Sequence, residues 1–96
     1  MAQLNWSAAA LADVVSLYRF LAVRNPSAAS RAIKAIRECT QVVASHPGVG
    51  RPVDHMDNEF RDWLIGFGDS GHVVRYHSDG ETVIVIAVRY QKEAGY

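Results

Sequence analysis

Six consecutive apolar residues, Val83-Ile84-Val85-Ile86-Ala87-Val88, follow an Asp79-Gly80 pair toward the C-terminal end of the chain. Branched residues at that density favour a strand, and a strand apolar on both sides belongs inside a sheet that is covered on both faces. Asp-Gly between two apolar runs is the strongest short-range hairpin signal. The chain therefore has to supply neighbouring strands and a cover for each face from only 96 residues. A domain of this size buries about two thirds of its unfolded surface, which leaves no room for a second core. We expect one domain over residues 1–96. Its 49% hydrophobic and 21% charged residues exclude disorder driven by low hydropathy and high charge.

The remaining elements follow from periodicity. Phe60 to Phe67 reads as a strand with Trp63, Ile65 and Phe67 on one face, and His72 to His77 as a second. Gly68 to Gly71 and Ser78 to Gly80 are the turns between strands, and Thr82 to Tyr90 is the third. Upstream, Gln3 to Trp6 reads as an edge strand with Leu4 and Trp6 on one face. Ser7 is a candidate N-cap for a helix of about 17 residues ending near Arg24, with Leu11, Val14, Val15, Tyr18, Leu21 and Ala22 as its apolar stripe. Asn25-Pro26 starts a second helix, whose stripe is Ala29, Ala32, Ile33, Ile36, Cys39, Thr40 and Val43. His46-Pro47-Gly48 ends it, and the glycines there read as a helix C-cap. Val49 to Glu59 reads as a loop. The expected architecture is α+β, in the order β-α-α-β-β-β: a helix hairpin on a small antiparallel sheet. One sheet face is covered by the hairpin, the other by the C-terminal residues or a partner.

Charge and composition exclude several functions. Ten basic and ten acidic residues cancel, which argues against a nonspecific nucleic-acid binder that works by neutralising phosphates. The balance is uneven along the chain: residues 1–50 carry +3 and residues 51–96 carry −3. The single cysteine, Cys39, cannot form an internal disulfide and suits a reducing compartment, so a cytoplasmic location is expected. No apolar run approaches the roughly 20 residues of a membrane span, and Met1 to Trp6 is too short and polar for a signal peptide. His46, His55, His72 and His77 lack ligand spacing, so no metal or cofactor is expected. Gly48-Val49-Gly50-Arg51 follows a helix and lacks the lysine of a phosphate-cradling loop. Arg61, Arg75 and Arg89 fall on the three C-terminal strands beside Trp63, Tyr76 and Tyr90. That interleaving suits RNA or an acidic protein surface; the plainer alternative is cross-strand pairing with Asp62 and Glu59.

The order of these residues resembles a known family. Trp6-Ser7 precedes a helix with Ala10, Asp13 and Tyr18, and Asn25-Pro26 opens a second with Ala28-Ala29, Ile33 and Ile36. His46-Pro47-Gly48-Val49-Gly50-Arg51-Pro52, Phe60-Arg61, Gly71 with Val74-Arg75-Tyr76, and Ile84 to Val88 with Arg89-Tyr90 follow. From Trp6 to Tyr90 the chain resembles the RelE/ParE superfamily of toxins from type II toxin–antitoxin modules. Pro-x-x-Gly-Arg-Pro is the most specific part.

The resemblance implies one of two activities. RelE-like members are ribosome-dependent mRNA endonucleases, whereas ParE-like members poison DNA gyrase. Where the nuclease branch carries an arginine after the glycine turn, this chain has Val73, and where it carries a C-terminal acid–base group, this chain has Gln91. Lys34 and Lys92 are the only lysines. RNA cleavage needs proton transfer and cations for the phosphorane, and neither valine nor glutamine supplies them. Arg75, with Tyr76 or His77, is the remaining substitute. The expectation is thus a ParE-like, non-enzymatic gyrase inhibitor of the plasmid-stabilising type. The resemblance also implies a ParD-like antitoxin whose tail folds onto the toxin, with DNA contacted only through that antitoxin. The expected antitoxin-binding residues are Trp6, Leu11, Val14, Tyr18 and Arg31; the expected target-binding residues are Arg61, Arg75, Arg89, Tyr90 and Lys92.

Overall fold

Ser7 and Asn25 start helices because each offers a side-chain oxygen to an otherwise orphaned amide. Ser7 Oγ accepts the Ala10 N–H at 3.0 Å and Asn25 Oδ1 accepts the Ala28 N–H at 3.2 Å. The structure, a computed structural model, describes residues 2–67 and 70–90. Strand β1 (Gln3–Trp6) leads into helix α1 (Ala8–Arg24), and Asn25 alone separates α1 from helix α2 (Pro26–Ser45). Strands β2 (Arg51–Pro52), β3 (Phe60–Phe67), β4 (Ser70–Ser78) and β5 (Thr82–Tyr90) complete the described elements.

The sheet is mixed rather than antiparallel. Its order is β1-β5-β4-β3-β2, with β1 parallel to β5 and every other pair antiparallel. The parallel pair is possible because the helix hairpin and the three-strand meander return the chain to the edge where it began. The segment from Val49 to Glu59, expected as a loop, contributes β2 as a second edge strand against Arg61 and Asp62. The apolar run lies inside the sheet, as β5, between β1 and β4. Of the turn expected over Gly68 to Gly71, Ser70 and Gly71 already belong to β4, paired with Phe67 and Gly66, and Gly68-Asp69 lie outside the described residues. In the β4–β5 turn Gly80 has φ +95, a conformation glycine adopts without a Cβ penalty.

Both helices cover one face of this sheet. Ala10, Ile36 and Cys39 meet Ile65, Val74, Val85 and Val88, with Leu4, Trp6, Val14, Leu17 and Trp63 packed around them. The buried side of α1 is therefore rotated from the expected stripe: Leu11, Val15 and Tyr18 stay exposed. On the other face Leu64 is exposed and Ile84 and Ala87 are half-buried, while Val73 and Asp62 are buried.

The Pro-x-x-Gly-Arg-Pro segment is fastened by Tyr76. The phenol donates to the Pro47 carbonyl at 2.7 Å and accepts the Gly50 N–H at 2.9 Å. A Cβ on Gly50 would lie 2.6 Å from that phenolic oxygen. The α2 C-cap is His46, and Gly48 and Gly50 have no positive φ. The glycine-rich stretch is thus a close-approach site for Tyr76, not the helix cap expected from its position.

Candidate functional site

Two surfaces collect the residues singled out above. The first is a groove of about 270 Å³ between the helix hairpin and β1. Leu4 and Trp6 from β1, Leu11 and Val14 from α1, and Ile33, Ile36, Arg37, Thr40 and Gln41 from α2 line it. It exists because β1 is an edge strand whose even residues turn inward, while α1 and α2 bury their other sides on the sheet. Leu11 (52% exposed) sits at its opening. Tyr18 lies outside the groove but on the same side of α1, two helical turns further along. Arg31 is elsewhere: it donates to Ser27 Oγ at 2.7 Å on the solvent side of α2. The cation on the groove wall is Arg37, which the sequence reading did not choose. Its place three residues before Thr40 and four after Ile33 was the available signal.

The second surface is the sheet face opposite the helices. Arg75 spans to Asp62 through two hydrogen bonds, Nε to Oδ1 at 2.9 Å and Nη2 to Oδ2 at 3.1 Å. The hydrogen bond to Asp62 raises the Arg75 pKa above its ordinary value. Arg51 is the register partner of Asp62 on the opposite side. His77 Nε2 meets Glu59 Oε1 at 2.8 Å. Arg89 is exposed, with Nε 3.9 Å from Asp13 Oδ2.

The five expected target contacts do not form one patch. Arg61 turns to the helix side, donating to the Gly50 carbonyl at 2.7 Å. Tyr90 is half-buried with its ring edge-on to His72, 5.4 Å between centroids. Arg75 pairs with Asp62 on the face opposite the helices, Arg89 is exposed beside Asp13 of α1, and Lys92 lies outside the described residues. Among the described residues no group of three His, Cys, Asp or Glu is arranged to hold a metal ion. No helix among them is long and apolar enough to cross a membrane.

The comparisons with known proteins agree with this geometry. Residues 4–95 match the model of the ParE toxin family of type II toxin–antitoxin systems, parDE. The chain belongs to that family. It is 32% identical over 81 residues to a Caulobacter vibrioides protein named "Toxin RelE3", an alignment covering 84% of this chain and 85% of that protein. The fold is similar to a solved structure described as a chromosomal ParDE system from P. aeruginosa, with a TM-score of 0.75 and 20% identity. That match covers 94% of this chain and 96% of the other. At this identity the likeness to the family member concerns the fold alone.

Proposed function

We propose that this ParE-family chain is the toxin of a type II module that acts by binding DNA gyrase, has no catalysis of its own, and works in the cytoplasm. What supports the non-enzymatic reading is the occupation of the substitute catalytic groups. Arg75 is committed to Asp62 through two hydrogen bonds, and the Tyr76 hydroxyl is held between Pro47 and Gly50 in the interior. Burial also raises the Tyr76 pKa, which keeps the phenol protonated and makes it a poorer acid. His77 is paired with Glu59. A phosphorane needs cations and proton carriers aimed at one point, and these three side chains are tied to separate places.

The groove supports an antitoxin partner. Its apolar floor and Arg37 wall fit an amphipathic helix with acidic residues on one border. Of the residues named for this contact, Trp6, Leu11 and Val14 lie in the groove. A RelE-like endonuclease is the second reading, favoured by the relative named "Toxin RelE3". Induced expression in a bacterial host separates the two. The gyrase reading expects DNA-damage induction and filamentation while translation continues; prompt loss of translation with cut messages overturns it. A growth rate unchanged by induction overturns both readings in favour of a partner-binding module.

A further inference from the structure

The end of β5 is held by α1, not by a neighbouring strand on that edge. β1 pairs with β5 only as far as Trp6 opposite Val85. There the Ser7 N–H donates to the Val85 carbonyl at 2.9 Å. Immediately beyond, the β4–β5 register slips by one residue: Tyr76 is opposite Val85, but Arg75 is opposite Ala87. Such a bulge disrupts the ladder and re-aims the side chains that follow. The Ile86 carbonyl accepts Ser7 Oγ at 3.4 Å, and the Val88 N–H donates to Asp13 Oδ2 at 2.9 Å. Asp13 is the one acidic residue in a helix otherwise built largely from apolar side chains. The same Oδ2 lies 3.9 Å from Arg89 Nε.

We propose that Asp13 is the positioning residue of the β5 terminus. It supplies the acceptor that a sixth strand would have offered, and its charge holds Arg89 beside α1 at this edge of β5. Its neighbours Leu11 and Val14 line the antitoxin groove, so the same stretch of α1 serves both surfaces. The link to toxicity rests on the target-contact reading above; the link to the strand does not.

Two variants of the full chain test it by amide hydrogen exchange. Asp13→Ala removes both the acceptor and the charge. Exchange at Val88 is expected to rise roughly fivefold to tenfold, as for the loss of one net hydrogen bond, with Val74 and Val85 as protected as before. Asp13→Asn keeps an acceptor and is expected to restore Val88 protection. Unchanged Val88 exchange in Asp13→Ala, with the fold intact by circular dichroism, overturns the proposal. Induced expression then reads the second link: growth arrest is expected to be lost in both Asp13→Ala and Asp13→Asn, since neither keeps the charge beside Arg89, and arrest that survives in Asp13→Asn overturns that link. If arrest survives the Arg89→Ala/Tyr90→Ala double variant, the target-contact reading fails, while Val88 exchange still decides the positioning role.

Discussion

At the residue scale the tightest constraint is Gly50 against Tyr76. A methyl group there meets the phenolic oxygen at 2.6 Å and the Asp62 carbonyl at 2.9 Å, one of them backbone, so the clash cannot be relieved by a rotamer change alone. Gly50→Ala is expected to destabilise the fold by ~1–3 kcal/mol or more, the usual range for overpacking. Tyr76→Phe leaves the buried Gly50 N–H without its acceptor and costs about 1–3 kcal/mol. Urea titration reads both. Cys39 allows a pH prediction of known sign. Burial pushes its thiol up to about 12, from 9.0. Between those values the unfolded chain releases the proton and the folded chain keeps it, so the thiol's contribution declines as pH rises. The stability advantage of wild type over Cys39→Ala is therefore expected to shrink from about pH 9 upward. Below that pH, iodoacetamide should label Cys39 only as fast as the chain opens.

At the scale of elements, α1 does two jobs. Ala10 and Leu17 face the sheet, while Leu11 and Val14 open on the groove. Leu11→Asp is expected to leave the melting temperature within a few degrees, because the side chain is half exposed, but to weaken antitoxin binding by at least ~10-fold. Val23→Asp, at an 86% exposed position outside the groove, should leave binding unchanged; calorimetry on the purified pair measures both. The helices were legible from Ser7, Asn25-Pro26 and their stripes because capping and periodicity are local. The parallel β1–β5 pair was not, since nothing in Gln3–Trp6 encodes a partner about eighty positions away. The same holds for the glycine motif, whose cause is a side chain 26 residues distant. Trp6, Leu11 and Val14 line one groove, because strand alternation and helical period place them on facing sides, whereas Tyr18 lies outside it. Arg37 was passed over for Arg31, because charge alone does not say which side of a helix borders a groove.

At the scale of the whole molecule, the fold presents an apolar groove on its basic half and an arginine-bearing sheet face on its acidic half. Arg75 is neutralised by Asp62, and Arg89, beside Asp13, is the more exposed of the two arginines. Such an arrangement suits a protein that occupies surfaces. The measurement that tests this most directly is gyrase-catalysed supercoiling titrated with the purified chain. The account expects inhibition at micromolar concentration, relief by prior addition of the antitoxin, and at least a ~10-fold weaker effect for Arg89→Ala/Tyr90→Ala. Undiminished supercoiling at that concentration, with ribosome-bound transcripts cut by the same preparation, would contradict it.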